Sequence, residues 1–479
     1  MDTIYVRQYN QSHIHVTGSD NGLENELSEF FKFRVNGYQY MPAYRRGVWD
    51  GFVRLFDQRT KLIYAGLFNN ILEFCKKRNY NCDHDIAIHK NDFSIDQANN
   101  FIKTLNLPFE PRDYQLNTFI NCVNNNRALV VSPTGSGKSL MIYLLTRYYN
   151  KKTLIITPTT GLVHQMASDF VSYGYDQEIH KIYSGKDKET DCLVSCTTWQ
   201  SIFRMPRDWY DQFDCVICDE AHLAKASSIT KIMTNMVNCQ YRFGFTGSLD
   251  GSQVSALVLT GLFGPIKHVT TTAELIEQKH LSDFKIKCLM LHYPEEIRNV
   301  IKSYDYSQEL DYIVTNQARN NFISKLVTNI SGNTLILFQF VEKHGKILYD
   351  LIKSSTDRPV YFIHGGIDGE ERNNVRSVIE SQDDAIIVAS VQVFSTGINI
   401  KNLHNIVFAS PSKSRVRTLQ SIGRVLRKSD SKTNAILYDI VDNFSIKKKY
   451  NYTLIHFFER LKIYQQEQFS YKVHNVELK

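Results

Sequence analysis

Ser132-Pro133-Thr134-Gly135-Ser136-Gly137-Lys138-Ser139 stands between an apolar run at 128–131 and an apolar stretch that begins at Leu140. Gly135 and Gly137 permit the turn that points backbone N–H groups inward, and a helix from Leu140 onward adds the positive end of its dipole. A loop of this form holds phosphate. Lys138 is placed to reach the terminal phosphates of a nucleoside triphosphate and the Ser139 hydroxyl to ligate Mg²⁺, with Thr134, Gly135, Ser136 and Gly137 as the cradle. Ser132 stands where the strict form of such a loop has glycine, so the generic pattern is matched with one departure.

Outward from the loop, β-branched runs at 128–131, 153–157, 192–196, 214–218 and 241–245 alternate with longer amphipathic stretches. That alternation predicts a parallel α/β sheet, with the phosphate loop at the C-terminal end of a strand. The apolar run 213–218 ends in Asp219-Glu220-Ala221-His222. A carboxylate at a buried strand tip suits Mg²⁺ held through water, which is the role of Asp219, while Glu220 can orient the attacking water. A second series of runs, at 334–338, 359–363, 385–389, 405–409 and 435–440, has no phosphate loop of its own. It must then contribute in trans to the nucleotide of the first. Gln420-Ser421-Ile422-Gly423-Arg424-Val425-Leu426-Arg427 supplies the means. Arg424 and Arg427 share one helix face, and guanidinium groups neutralise the charge on a transferring phosphoryl group. A finger of this type is worth roughly 10³–10⁵ in rate.

Composition narrows the class. A chain of 479 residues is too long for one core, and 43% hydrophobic with 22% charged residues is ordinary for a folded protein. No apolar run approaches the ~20 residues of a membrane span. The first residues lack the layout of a signal peptide. A cytoplasmic protein without a membrane partner is expected, with its nine cysteines reduced. Cys215 and Cys218 then read as packing within a strand, not as a metal pair. The net charge of +7 permits a polyanionic partner without requiring one.

Between residues 31 and 61 the balance is uneven. Lys32, Arg34, Arg45, Arg46, Arg54, Arg59 and Lys61 face only Asp50 and Asp57, and Phe31, Phe33, Tyr38, Tyr40, Tyr44, Trp49, Phe52 and Phe56 are interleaved, several of them as core. Basic groups meet phosphates and exposed rings stack on unpaired bases, so Trp49, Arg45, Arg46 and Arg54 are candidate nucleic-acid contacts. A small α+β core with a charged rim is the other reading. Near the far end, Ile446-Lys447-Lys448-Lys449-Tyr450 precedes an apolar-periodic stretch at 454–464, which predicts a helix packed on the second series. Those lysines read as a solvated face or as a grip on DNA.

The tetrad Asp219-Glu220-Ala221-His222 resembles the one that names the DEAH-type superfamily 2 helicases, and Ser132–Ser139 is similar to their first motif. The resemblance implies that Arg112-Asp113-Tyr114-Gln115 reads adenine, through Arg112 and Gln115. It implies that Pro158, Thr159, Thr198 and Gln200 touch a nucleic-acid backbone, and that Thr246-Gly247-Ser248 couples hydrolysis to that contact. In the second series it assigns Arg427 as the finger, Arg424 beside the γ-phosphate and Gln420 to the lobe interface. Ser395-Thr396-Gly397 would touch strand (Thr396) and nucleotide (Gly397), and Phe338, His364 and Gly365 would touch the strand. Gly47-Val48-Trp49-Asp50-Gly51-Phe52-Val53-Arg54 resembles part of the N-terminal domain of the bacteriophage UvsW helicases, and the likeness extends over nearly the whole chain.

The resemblance implies two tandem RecA-like parallel-sheet lobes, an α/β fold, preceded by a small α+β domain. The expected boundaries are 1–107, 108–281 and 282–479. It further implies a monomeric motor driven by ATP and Mg²⁺ in the host cytoplasm. Its DNA partners would be single-stranded or branched (forks, D-loops, R-loops, Holliday junctions), with RNA inside hybrids, serving recombination, replication and repair. The competing functions are an RNA helicase, a double-strand translocase, and a nucleotide-gated DNA-annealing protein.

Overall fold

The computed structural model describes all residues except 1, 36, 88–90, 184, 223–225, 250–251, 367–374, 376–377, 397–399, 401, 412–413, 415–417, 420, 424–425, 427–431, 433, 448 and 479; at 226, 253 and 394–396 it describes the backbone alone. Residues 1–132 and 137–269 form one compact unit, and 133–136 with 270–479 form another.

The first unit opens with a small α+β domain. Its five-stranded sheet runs in the order Phe56–Asp57, Leu62–Tyr64, His13–Gly18, Thr3–Gln8 and Asn81–His84. Thr3–Gln8 and His13–Gly18 alternate buried and exposed residues, because one face packs on the helices Asn21–Phe30 and Phe68–Arg78. Asp20 starts the first of these helices by accepting the N–H groups of Gly22 and Leu23. A separate two-stranded ribbon, Lys32–Arg34 with Phe52–Arg54, carries residues 35–51 between its arms.

A seven-stranded, wholly parallel sheet follows, ordered Ile179–Ile182, Val194–Thr198, Thr153–Thr157, Cys215–Cys218, Tyr241–Thr246, Arg127–Val131 and Ile266–His268. Thr153–Thr157 is buried throughout, as a strand covered by helices on both faces must be. All five expected runs are strands, with 192–196 displaced to Val194–Thr198. Cys215 packs in the core on one face of the sheet and Cys218 in the core on the other. They cannot share an ion, and burial pushes both thiols well up.

The small domain is fixed to this sheet's helices by close backbone approach. A Cβ on Gly66 would strike Thr260 O, and one on Gly261 would lie 2.8 Å from Tyr64. Gln11 N–H donates to Val237 O at 2.9 Å, and Arg127 Nη2 donates to Gln11 O at 2.6 Å.

The second unit holds another seven-stranded parallel sheet. Its order is Val360–Ile363, Ile386–Ser390, Thr334–Phe338, Asn405–Phe408, Asn434–Asn443, Asp283–His292 and Ser470–Glu477. The expected terminal helix is Tyr452–Gln466. Its buried Arg460 meets Asp439 at 2.8 Å, and Tyr464 OH donates to the same carboxylate at 2.8 Å. Arg319 and Tyr293 hold Asp442, each at 2.7 Å, in the same way. Among the described residues no helix is long and apolar enough to cross a membrane.

Gly66→Ala should open the junction between small domain and sheet, because the added carbon meets backbone and not a movable side chain. Thermal unfolding is expected to show a loss of about 1–3 kcal/mol, with earlier proteolytic release of the N-terminal domain.

His344 is buried and hydrogen-bonds Ser410 Oγ at 3.0 Å. Burial, and then the Arg319 charge, push its imidazole down to about 3. It therefore folds neutral, whereas the unfolded chain takes up a proton near pH ~6.5. Its contribution is complete above pH ~6.5 and is lost as pH falls toward the folded value, at about 1.4 kcal/mol per pH unit. The midpoint of thermal unfolding should fall more steeply below pH ~6.5 in the natural chain than in His344→Gln.

Candidate functional site

Three strand ends of the first sheet meet at one pair of carboxylates. Arg127–Val131 leads into the loop 132–139, Cys215–Cys218 ends at Asp219, and Tyr241–Thr246 ends in the turn with Gly247 and Ser248. Backbone bonds join them: Ser132 N–H donates to Thr246 O and Ala221 N–H to Phe245 O, each at 2.9 Å. Gly135 and Gly137 have φ of +87° and +80°, the left-handed region that glycine favours. The helix Lys138–Tyr149 starts at Gly137 with no side-chain cap. Its first N–H groups are thus left to an anion.

Lys138 Nζ lies 3.2 Å from Glu220 Oε1, and His222 Nδ1 lies 3.5 Å from Glu220 Oε2. Burial works to raise the Glu220 carboxyl, but the Lys138 ammonium and then His222 bring it below its ordinary value. Asp219 goes the other way. Burial, followed by the Glu220 charge, pushes it up to about 7. Its Oδ1 is buried with no hydrogen-bond partner among the described residues. An orphaned carboxylate oxygen beside the Ser139 hydroxyl's loop is the donor set that a hydrated divalent cation completes, so the residues fit Mg²⁺. Glu220 itself sits at φ +50°, a strained conformation for a non-glycine residue.

His222 Nδ1 also lies 2.5 Å from Thr246 Oγ1, whose own hydrogen goes to Ser248 O at 2.9 Å. The imidazole is therefore the donor to Thr246. That bond joins His222 to the Thr246-Gly247-Ser248 turn, and the Glu220 carboxylate lies at ion-pair distance, 3.5 Å, from the same nitrogen.

The remaining candidates divide. Gln115 Oε1 accepts the Arg112 N–H at 2.9 Å, and its Nε2 lies against Gly137, so Gln115 closes over the loop. Arg112 Nη1 donates to Tyr114 OH at 2.7 Å. Thr134 and Ser136 stand in the loop, with Ser136 N–H donating to Pro133 O at 3.2 Å. Pro158, Thr159, Thr198 and Gln200 come together at the ends of two paired strands, where Gln200 Nε2 donates to Pro158 O at 3.3 Å. His364 and Gly365 follow the strand Val360–Ile363, with His364 Nδ1 accepting the Gly366 N–H.

Phe338 is a correction. It is wholly buried, its ring stacked on Phe362 at 5.6 Å, and no strand can reach it. An aromatic at the end of a central strand gains more from the core than it would at the surface. In the N-terminal domain, Trp49 Nε1 donates to Phe52 O at 2.8 Å, and Arg54 is paired with Asp50. Arg45 and Arg46 donate only to backbone carbonyls among the described residues. Gln420, Arg424, Arg427 and Gly397 lie outside the described residues, as does the side chain of Thr396.

One contact has no sequence signal. Tyr173 OH lies 2.8 Å from Ser139 Oγ across 34 positions of chain. Folding alone brings the helix Thr160–Ser172 and its C-terminal Tyr173 beside the loop.

Comparison with known proteins gives the following. The family described as "DNA helicase UvsW, N-terminal" matches residues 3–94, "Type III restriction enzyme, res subunit" 108–250, and "Helicase conserved C-terminal domain" 318–429. The chain is 37% identical over 504 aligned positions to the ATP-dependent DNA helicase uvsW of Enterobacteria phage T4, covering 99% of this chain and 100% of that protein. It is 22% identical to the DNA 3′-5′ translocase XPB2 of Sulfurisphaera tokodaii, over 72% of this chain and 86% of the other. The crystal structure of T4 UvsW aligns over 100% of both chains, with 35% identity and a TM-score of 0.53. The Type ISP restriction-modification enzyme LlaBIII shares the fold, with 16% identity and a TM-score of 0.58 over 78% of this chain and 32% of the other.

Lys138→Ala leaves the two carboxylates without the neighbouring ammonium and the loop without its cation. Affinity for a fluorescent nucleotide analogue is expected to fall roughly 10- to 100-fold, and ATP turnover to disappear.

Proposed function

The chain belongs to the UvsW family of DNA helicases, and we propose that it uses Mg·ATP hydrolysis to move on and remodel branched DNA, with Lys138, Asp219 and Glu220 at the centre of the chemistry. The observation that carries this reading is the buried Asp219 and the half-buried Glu220 beside Lys138 of a phosphate loop. Residues 1–107 choose the substrate, 108–281 bind the nucleotide, and 282–479 supply the arginines.

Ser139 and, through water, Asp219 would hold Mg²⁺, which when bound neutralises charge on the phosphate oxygens. The N–H groups of 134–139 orient the phosphates, and Gln115 with Arg112 selects the base. Lys138 pairs with Glu220 at 3.2 Å. Transfer of the ammonium to the γ-phosphate releases the Glu220 carboxylate, which then orients a water for in-line attack. Arg427 and Arg424 stabilise the charge that spreads over the transferring group, with Gln420 beside them. Gly397 contacts the nucleotide from the same lobe. Pro158, Thr159, Thr198, Gln200, His364, Gly365 and Thr396 grip the DNA backbone without reading sequence. The bond from His222 to Thr246 ties the imidazole beside Glu220 to the turn that senses the strand. Arg45, Arg46, Arg54 and Trp49 meet the branch.

Steady-state ATPase activity at fixed salt tests the reading, with single-stranded DNA, duplex, a four-way junction and matched RNA as cofactors. Strongest stimulation by the junction is expected. Equal stimulation by RNA would replace it with an RNA-helicase reading. Arg427→Ala should retain nucleotide binding while hydrolysis falls roughly 10³-fold or more, and a matching loss of binding would refute the finger role.

A further inference from the structure

Every strand of the second sheet is parallel, so the segments that follow the strands leave from one edge. His364 and Gly365 follow Val360–Ile363, Gln339 follows Thr334–Phe338, and the segment 444–451 follows Asn434–Asn443. Asn434–Asn443 lies two strands from Thr334–Phe338 in the sheet order, about 10 Å at the usual strand spacing. The segment 444–451 thus extends the edge to which His364 and Gly365 belong.

It does so with basic and aromatic groups. A groove of about 180 Å³ is bounded by Lys302, Tyr304, Phe444, Lys449, Tyr450 and Tyr452. Tyr450 is 54% and Tyr452 46% exposed, high values for rings of this size in a folded lobe. Lys302, Lys447 and Lys449 are exposed, and none forms an ion pair among the described residues. Glu309 lines the groove but offers no free carboxylate. Its oxygens accept Asn451 Nδ2, Thr453 N and Thr453 Oγ1 at 2.7–2.8 Å and Tyr452 N at 3.0 Å. Asp305 is likewise spent, capping the helix Tyr306–Thr315 by accepting Gln308 N–H. Lys302 and Lys449 line the groove with no acidic partner among the described residues, Lys449 Nζ reaching Lys302 O at 3.5 Å, and Lys447 is exposed two positions before Lys449, while Glu309 and Asp305 are engaged. Together they form a surface for a polyanion that also carries flat apolar faces.

We propose that this edge of the second lobe is a single-stranded DNA-binding surface, with phosphates on Lys302, Lys447 and Lys449 and a base stacked on Tyr450. The proposal rests on the DNA-helicase reading above and adds to it a strand path beyond the motor motifs. A strand held there would be anchored to the lobe on rigid backbone. Tyr450 packs edge-on against Phe458 of the helix Tyr452–Gln466 at 5.3 Å, and that helix is pinned by Arg460.

The test is the affinity of the full-length chain for a fluorescein-labelled oligo-dT over a range of salt, in the natural protein and in Tyr450→Ala, Tyr450→Phe, and the double variant Lys447→Gln/Lys449→Gln. Tyr450→Ala should weaken binding roughly 5- to 100-fold, and Tyr450→Phe should keep it, because stacking uses the ring and not the hydroxyl. The double lysine variant should lower the slope of log affinity against log salt by about 1.4, since each phosphate no longer neutralised removes some 0.7. If Tyr450→Ala disturbs folding, the lysine pair carries the test alone, since both side chains are exposed. Unchanged affinity and slope in variants of a protein that binds DNA would overturn the proposal and leave the groove to a protein partner. Absence of DNA binding by the natural chain would overturn the helicase reading and this surface with it.

Discussion

Two carboxylates stand side by side at the buried end of the strand Cys215–Cys218, and the ammonium of Lys138 at 3.2 Å makes that placement tolerable. An uncompensated charge in such a place costs several kcal/mol, so the cation is delivered by a loop of fixed shape from Arg127–Val131, two strands away in the sheet. That requirement sets the left-handed glycines, the uncapped helix start at Gly137, and the backbone bonds that tie the loop to Thr246. It also divides the pair. Glu220 is held ionised beside Lys138 and His222, and Asp219, without such a partner, is pushed up to about 7.

The small N-terminal domain belongs to the same compact unit as Lys138, Asp219 and Glu220. Its attachment is made of backbone meeting backbone at Gly66 and of the bond from Arg127 to Gln11 O, beside a buried Arg242 satisfied by carbonyls of the sheet's own helix. Arg242 donates to Cys239 O at 3.1 Å, Met233 O at 3.0 Å and Met236 O, closing the C-terminal end of the helix Ala226–Asn235. Arg127 reaches across to Gln11, and burial, then Arg242, push its guanidinium down to about 9. Groups held this way leave little room for the domain to swing. A basic patch on the ribbon Lys32–Arg34 and Phe52–Arg54 is then carried as part of the body that holds Lys138, Asp219 and Glu220.

The second unit solves a different problem with buried ion pairs. Asp439 and Asp442 lie on one strand, and each is held by an arginine and a tyrosine, from Arg460 with Tyr464 and from Arg319 with Tyr293. Such pairs add little net stability over apolar packing, but breaking one leaves a charge stranded. They fix which helix lies on which part of Asn434–Asn443, and hence where the segment 444–451 leaves the sheet edge.

The motor lobes were legible because their signals are local. A phosphate loop needs glycines at fixed spacing, and a fully buried parallel strand is a continuous apolar run, as 153–157 shows. Short or edge strands were not legible: Ile179–Ile182, Ile266–His268 and Ser470–Glu477 are partly exposed and mix polar with apolar residues. Asp283–His292 lies inside the sheet next to its edge strand, and its first half alternates lysine with apolar residues, so its apolar run at 288–291 did not mark the whole strand. In the site, residue identity named Lys138, Ser139, Asp219 and Glu220, since chemistry at that spacing has few uses. Residue identity could not say that Phe338 turns inward, that Tyr173 meets Ser139, or that Glu309 is spent on the helix next to Tyr450. Those outcomes depend on side chains far apart in the chain competing for the same neighbours, and only the packed structure decides that competition.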